Sequence, residues 1–234
     1  MEEIAILMAA GLGSRMRPLT DATAKPLVKV NGIPLIETVI AALEKRGVAE
    51  IYVVTGYMAE QFVALAEKHP NVYLVHNAEY ATKNNINSVA VVADKMADSN
   101  CFICEADLFL ANADVLCREL PRSGYFGKMV AGFSDDWVFE TDADNRITRI
   151  GKGGMDTYNM VGISYFHKTE ARKIADAIVE DVKKPENANL FWDEVVDRLV
   201  KSDELDLVVH PVLPDEIVEC DTVEDLRKLE AKLK

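Results

Sequence analysis

The residues with the clearest chemical potential form a short segment near the N-terminus. Small residues and two glycines alternate there with cations, in the order Ala9-Ala10-Gly11-Leu12-Gly13-Ser14-Arg15-Met16-Arg17-Pro18, and Lys25-Pro26 follows. Small residues let the backbone approach a polyphosphate closely, and the exposed amides of such a loop bind anions. Arg15, Arg17 and Lys25 add positive charge beside these amides. The segment therefore predicts a site that holds a triphosphate and an incoming phosphate.

Two better-known phosphate loops do not match this segment. A Walker A loop requires Gly-Lys-Ser/Thr, and a dinucleotide-binding loop requires a third glycine where Met16 stands. Pro26 disfavours helical geometry at Lys25, so we expect an extended backbone to present this lysine. In the simpler alternative, the glycines form only a turn and the cations are solvated, which explains the glycines but not the whole segment.

Two aspartates follow apolar runs that read as buried strands. Asp107 follows a strand predicted at 101–104, and Asp221 follows one predicted at 216–219. Ligands of open α/β sheets bind at the carboxyl ends of strands, and Mg²⁺ takes one or two carboxylates together with phosphate oxygens. We therefore predict that Asp107 and Asp221 hold Mg²⁺. Asp221 could instead, or also, cap a helix that begins near Thr222. Glu105 is given only a minor role.

Aromatic side chains in the second half suggest an acceptor site. Trp137 and Trp192 are the two tryptophans of the chain, and Phe191 and Asp193 flank the second. An aromatic box with a nearby carboxylate holds a quaternary ammonium group through cation–π attraction. Trp137, Phe191 and Trp192 are the candidates, with Asp193 or Glu194 supplying negative charge. Core packing of the same aromatics is the alternative, and the sequence leaves both interpretations open.

Apolar periodicity predicts the elements that position these residues. Strands are expected at 4–8, 51–54, 72–75 and 101–104, and helices at 34–45, 58–68 and 86–96. This alternation indicates a parallel sheet with helices on both faces. Short strands are expected at 130–133, 138–141, 146–150, 161–166, 206–210 and 216–219, with helices at 170–182, 190–200 and 222–233. We predict an α/β fold and a single domain over 1–234, with a Rossmann-like mixed sheet, mostly parallel with antiparallel additions.

Composition narrows the possible partners. The formal net charge of −13 would repel a phosphate backbone, so nucleic acid is not an expected partner. The apolar runs are too short to span a bilayer, and the N-terminus lacks the features of a signal peptide, which favours a cytoplasmic location. Cys101 and Cys104 point to opposite faces of a predicted strand. We expect buried free thiols there rather than a metal site.

The loop of residues 9–18 with Lys25-Pro26-Leu27 resembles the nucleotidyltransferases that make sugar nucleotides. Further motifs are similar to those of bacterial CTP:phosphocholine cytidylyltransferases, and the resemblance covers nearly the whole chain. They are Gly56-Tyr57, Asn77-x-x-Tyr80, Asn84-Asn85, Glu105-Ala106-Asp107, Phe191-Trp192-Asp193 and Glu219-Cys220-Asp221. Glu105 departs from the aspartate that is more usual in that family.

The resemblance implies a Mg²⁺-dependent condensation of CTP with phosphocholine that gives CDP-choline and pyrophosphate. It implies catalytic roles for Arg15, Lys25 and Asp107, Mg²⁺ binding by Asp107 and Asp221, and aromatic contacts to choline. Nucleotide contacts are expected from Ala9, Ala10, Gly11, Gly13, Ser14, Arg15, Lys25, Gly56, Tyr57, Asn85 and Ser88. A sugar 1-phosphate, an inositol phosphate or an aminoalkylphosphonate remains an alternative acceptor, and a non-catalytic nucleotide-binding regulator remains an alternative function.

Overall fold

The computed structural model describes residues 2–233. Its strands are β1 (Glu3–Ala9), β2 (Lys29–Val30), β3 (Ile33–Pro34), β4 (Glu50–Thr55), β5 (Val72–His76), β6 (Asn100–Glu105), β7 (Leu108–Leu110), β8 (Gly124–Thr141), β9 (Ile147–Phe166), β10 (Val208–Pro211) and β11 (Ile217–Glu219). Its α-helices are α1 (Leu35–Arg46), α2 (Val63–Lys68), α3 (Ile86–Ala90), α4 (Ala93–Met96), α5 (Lys168–Asp181), α6 (Trp192–Lys201) and α7 (Val223–Lys232).

The main sheet has seven strands in the order β10-β8-β9-β6-β1-β4-β5. Strands β6, β1, β4 and β5 are parallel to one another. Strand β9 is antiparallel to both β6 and β8, whereas β10 is parallel to β8. The predicted mixed sheet, mostly parallel with antiparallel additions, is confirmed.

Helices cover both faces of this sheet because its interior strand β1 is apolar on both sides. Ala5 and Leu7 of β1 pack in the buried cluster that contains residues of α1 and α2. Ile4 and Ile6 point the other way, into the cluster that contains residues of α3, α4, α5 and α6. Alternating side chains of one strand thus anchor both helical layers, as the continuous apolar run predicts.

The second half differs from the prediction in its strand lengths. The four short strands expected between 130 and 166 are parts of two long strands, β8 with 18 residues and β9 with 20. Their pairing contains several register shifts, and these bulges break the alternation that sequence patterns rely on. The helix expected at 86–96 is also divided, into α3 and α4, and that at 58–68 begins as a single 3₁₀ turn before α2.

The cysteines and the helix lengths can be compared with the expectations drawn from the sequence. Cys101 and Cys104 are free and buried, and they belong to the clusters on opposite faces of the sheet. Cys117 is also free but exposed, unlike the expected buried thiols. Within residues 2–233, no helix is both long enough and apolar enough to cross a bilayer.

The closing helix α7 is capped by Thr222. Its hydroxyl accepts a hydrogen bond from the Asp225 amide at 3.1 Å, and the Asp225 carboxylate accepts one from the Thr222 amide at 2.9 Å. This reciprocal capping box satisfies two N–H groups of the first turn. Asp221 is therefore not the cap, and its side chain is free to face the carboxyl end of the sheet.

We expect Thr222→Ala to lower the free energy of unfolding by about 1 kcal/mol, because the first turn of α7 loses its cap. Urea denaturation followed by circular dichroism measures this change. Thr222→Ser, which keeps the hydroxyl, is the matched control and should retain most of the stability. Equal stability of the alanine and serine variants would contradict the assigned cap.

Candidate active site

The glycine loop after β1 borders a cavity at the carboxyl edge of the sheet. Gly13 has a φ of 61°, and a Cβ there would lie 2.8 Å from the Lys25 Cβ, so this position requires glycine. Gly11 has no such neighbour within 4 Å and faces open space. This cavity, which we call the loop cavity, is lined by Met8, Ala9, Gly11, Leu12, Gly13, Ser14, Arg15, Lys25, Pro26, Tyr80 and Asp107.

Lys25 lies between two carboxylates. Its Nζ donates hydrogen bonds to Asp107 Oδ2 at 2.5 Å and to Asp221 Oδ1 at 2.6 Å. Burial by itself would lower the pKa of this amine, but the two carboxylates outweigh it and raise the pKa above the usual lysine value. Lys25 is consequently a permanent cation of the site.

The backbone at Lys25 differs from the expected extended conformation. Lys25 begins a single 3₁₀ turn, Lys25–Leu27, and the extended residue is Ala24, with φ −55° and ψ 136°. Proline fits the second position of such a turn, because the amide that it lacks would have had no partner within the turn.

Three carboxylates converge beside this ammonium group. Asp107 follows β6, Glu219 ends β11, and Asp221 comes two residues later. The antiparallel pairing of β11 with β7, which places Glu219 opposite Leu108, brings the two acidic segments together. One oxygen from each carboxylate lies within 4.8 Å of those of the other two.

The ionisation of these carboxyls reflects burial and mutual repulsion. Burial, followed by the charges of Asp107 and Asp221, raises the pKa of Glu219 to about 8. Burial also acts to raise the pKa of Asp221, but the hydrogen bond from Lys25 outweighs it and the pKa is lowered. Arg15 Nη2 donates a further hydrogen bond to Asp221 Oδ1 at 2.8 Å. Lys25 and Arg15 thus neutralise the two aspartates, and a further cation would favour the ionised form of Glu219.

The donor set fits a hard divalent cation such as Mg²⁺. All three groups offer carboxylate oxygens, which Mg²⁺ prefers, and their repulsion falls when a cation is shared. Asp107 and Asp221 were predicted from the sequence, whereas Glu219 was not assigned a ligand role. The spacing Glu219-x-Asp221 was the available signal, since residues two apart in an extended chain point to the same side.

A second cavity adjoins the carboxylates, and we call it the outer cavity. It is lined by Arg15, Glu105, Asp135, Asp136, Trp137, Lys152, Met160, Gly162, Phe191, Glu219 and Asp221. The Trp137 and Phe191 rings meet edge to face, with centroids 5.4 Å apart. Its wall is thus both acidic and aromatic, and it shares Arg15 with the loop cavity.

The other two predicted acceptor residues lie deeper. Trp192 is buried and stacks on Tyr125 with centroids 5.7 Å apart and an interplanar angle of 18°, so it packs in the core as the alternative interpretation expected. Asp193 is only 5% exposed. Both border a small inner cavity lined by Met8, Ile103, Glu105, Tyr125, Met160, Gly162, Ile163, Ser164, Trp192 and Asp193.

Some residues that were predicted to contact the nucleotide make contacts within the loops around the site. A Cβ at Gly56 would lie 2.6 Å from the Tyr80 side chain, so glycine lets Tyr80 pack close to the loop cavity. The Tyr57 hydroxyl donates to the Thr20 carbonyl at 3.2 Å. Arg17 does not line the loop cavity and pairs with Asp21 at 3.2 Å.

Two polar residues of α3 and its N-terminus also make contacts within the protein. Asn85 Oδ1 accepts a hydrogen bond from the Trp192 amide at 3.0 Å and so joins this segment to the start of α6. Ser88 is buried, and its hydroxyl accepts from Asn77 Nδ2 at 3.1 Å. Neither they nor the buried Ala10 line the loop cavity, and their predicted nucleotide contacts stay predictions.

Comparison with known proteins agrees with this geometry. The family model for the MobA-like NTP transferase domain matches residues 5–181. A 2-aminoethylphosphonate cytidylyltransferase of Lancefieldella rimae is 49% identical over 222 residues, which cover 95% of this chain and 89% of that protein. A choline-phosphate cytidylyltransferase of Streptococcus pneumoniae is 36% identical over 230 residues, which cover 98% of each chain. The solved structure of a CTP:phosphocholine cytidylyltransferase from Streptococcus pneumoniae superposes with a TM-score of 0.90 at 35% identity and full coverage of both chains.

The position of Lys25 predicts a pH-dependent loss of stability in Lys25→Met. Without the ammonium group, Glu219 and Asp221 lose the cation that lowers their pKa, whereas burial still raises it, so stability falls as the pH rises above the unfolded value of about 4. Relative to the wild type, we expect the variant to lose about 2 kcal/mol more at pH 8 than at pH 5. Urea denaturation in the presence of a chelator measures this difference.

Lys29→Met removes an exposed lysine and is the matched control. Its stability should change little between the two pH values. Parallel stability curves for Lys25→Met and the wild type would contradict the proposed role of Lys25 as counter-ion to the cluster.

Proposed function

The chain belongs to the family of MobA-like NTP transferase domains, and from this premise we propose that it transfers a cytidylyl group from CTP to a small acceptor that carries both an anionic phosphorus group and an amine. The observation that carries the proposal is the adjacency of two cavities across the carboxylates. One is built from a glycine loop and cations, and the other from acidic and aromatic side chains. The first cavity suits the triphosphate of CTP, and the second suits the acceptor.

In the proposed reaction, an oxygen of the acceptor's phosphoryl or phosphonyl group attacks the α-phosphorus of CTP. A new phosphorus–oxygen bond forms, the bond between the α-phosphorus and the bridging oxygen breaks, and pyrophosphate leaves. The attacking oxygen is already ionised at neutral pH, so no protein base is required. Positioning and charge neutralisation account for the rate.

The residues of the loop cavity have distinct tasks in this mechanism. Backbone amides near Gly11 and Gly13 bind the triphosphate, and Lys25 and Arg15 neutralise charge beside the reacting groups. Asp107 and Asp221, with Glu219, would hold Mg²⁺, which when bound supplies positive charge next to the phosphates. Arg15 lines both cavities and is suited to orient the acceptor's phosphorus group toward the α-phosphate.

The acidic wall of the outer cavity favours a cationic acceptor. Asp135, Asp136 and Asp221 supply its negative charge, whereas burial raises the pKa of Glu105 and Glu219, and Lys152 and Arg15 are its cations. 2-Aminoethylphosphonate is supported by the relative that is 49% identical. Phosphocholine is supported by the half-buried pair of Trp137 and Phe191, since aromatic faces attract quaternary ammonium groups. A sugar or inositol phosphate would gain nothing from this negative charge.

We expect pyrophosphate release when CTP and Mg²⁺ are combined with 2-aminoethylphosphonate or phosphocholine. A coupled phosphate assay with each nucleoside triphosphate and a panel that includes glucose 1-phosphate and inositol 1-phosphate measures this preference. Turnover with only the sugar or inositol phosphate would contradict the amine-bearing acceptor. Calorimetric binding of CTP without turnover of any acceptor would support a non-catalytic regulator instead.

We expect Asp107→Asn to lower kcat by about 100-fold or more, because the cluster loses a charge that a divalent cation requires. Steady-state kinetics at saturating CTP and over a range of Mg²⁺ concentrations measures the effect. Asp176→Asn, which makes the same change on the exposed surface of α5, should leave kcat near the wild-type value. Normal turnover by Asp107→Asn at saturating Mg²⁺ would remove Asp107 from the metal site.

A further inference from the structure

The inner cavity is the part of the acceptor side that the proposed reaction leaves unexplained. It shares Glu105, Met160 and Gly162 with the outer cavity, so the two cavities meet at these residues. Gly162 has a φ of 76°, and a Cβ there would lie 2.9 Å from Glu105 Oε2. Glycine at this position thus makes room for the Glu105 carboxyl at the boundary between the two cavities.

Two buried polar groups, the Tyr125 hydroxyl and the Asp193 carboxyl, interact with each other at the border of the inner cavity. The Tyr125 hydroxyl and Asp193 Oδ1 have no hydrogen bond of acceptable geometry within residues 2–233, although they lie close to each other. Tyr125 is 1% exposed and Asp193 is 5% exposed. A buried polar group with an unmet hydrogen bond is unfavourable, so a ligand that pairs with both would be stabilised here.

Asp193 lies in the first turn of α6, but its carboxylate does not cap this helix. In the first turn of α6, the Glu194 carboxylate accepts the hydrogen bond from the Phe191 amide at 2.8 Å and completes the cap. Asp193 instead points into the inner cavity beside Tyr125. Burial raises the pKa of Asp193 to about 7, against an opposing effect of the Tyr125 hydroxyl. A cation bound there would favour the ionised carboxylate.

The size of the inner cavity limits what can enter it. It has room for about one water-sized group. A primary ammonium group is of this size and carries three N–H donors, which match the free acceptor capacity of Asp193 and Tyr125. A trimethylammonium group is much larger and has no N–H donor.

We propose that the inner cavity binds the primary ammonium group of the acceptor and thereby selects an aminoalkyl phosphonate or phosphate over a quaternary ammonium compound. The inference rests on the proposed cytidylyl transfer and specifies its acceptor. Asp193 and Tyr125 provide the recognition. Trp192 acts as a positioning residue, since its stacking on Tyr125 holds that hydroxyl in place. The aromatic pair Trp137 and Phe191 then covers the outer part of the acceptor.

The test compares kcat/KM for 2-aminoethylphosphonate and for phosphocholine, with CTP, in the wild type and in Asp193→Asn. We expect the wild type to prefer the primary amine, and the variant to lose roughly 10- to 100-fold in kcat/KM for it, mainly through KM. The value for phosphocholine should change less than about twofold. Tyr125→Phe, which keeps the aromatic packing, should shift the ratio in the same direction by a smaller factor.

Controls separate recognition from folding. Asp176→Asn should leave both values unchanged, and thermal melting and the KM for CTP should show that Asp193→Asn and Tyr125→Phe are folded. If a variant lowers kcat/KM for both acceptors by the same factor, the inner cavity has only a structural role and the inference is overturned.

Two further outcomes distinguish this inference from the proposed function. If the wild type uses phosphocholine well and 2-aminoethylphosphonate poorly, the cytidylyl transfer stands and the ammonium site is overturned. If CTP supports turnover of neither amine-bearing acceptor, both proposals are overturned.

Discussion

The ammonium group of Lys25, enclosed by the carboxylates of Asp107 and Asp221, constrains most of the surrounding structure. Bringing like charges together at a partly buried point is unfavourable unless a cation is shared among them. Lys25 satisfies this requirement only if its backbone comes close to the glycine loop, where a Cβ at Gly13 would lie 2.8 Å from that of Lys25. The conformation of the glycine loop therefore serves two purposes. It lets Lys25 reach the carboxylates, and it leaves backbone amides accessible to phosphate.

The same constraint explains how distant segments are arranged. Asp107 and Asp221 are far apart in sequence and meet because the short β11 pairs with β7, just beyond the end of β6. Thr222 caps α7 and leaves Asp221 available to Lys25 and Arg15. Beyond the carboxylates lie a larger chamber with aromatic and acidic walls and a small chamber bordered by Asp193. This division would let one scaffold discriminate between amines of different size.

The sequence predicted the parallel half of the sheet and both helical layers, because each depends on local periodicity. It also predicted that Asp107 and Asp221 lie at the same edge, because the carboxyl ends of strands meet there. It did not predict the long strands β8 and β9, since bulges interrupt their alternation. Glu219 was not recognised as the third member of the carboxylate cluster because its position depends on a non-local antiparallel pair. For Trp192 the sequence left a cage and an apolar helix face both open, because they share one pattern, and the structure adds its packing on Tyr125.

The central claim is that the carboxylates of Asp107 and Asp221 form a divalent-cation site facing the triphosphate bound by the glycine loop. A crystal structure of the protein with Mn²⁺ and a non-hydrolysable CTP analogue tests it most directly, through the anomalous signal of manganese. The account predicts one peak within coordination distance of both Asp107 and Asp221 and of an analogue phosphate oxygen. A peak bound by other side chains, or an analogue whose phosphates lie away from Gly11 and Gly13, would contradict it.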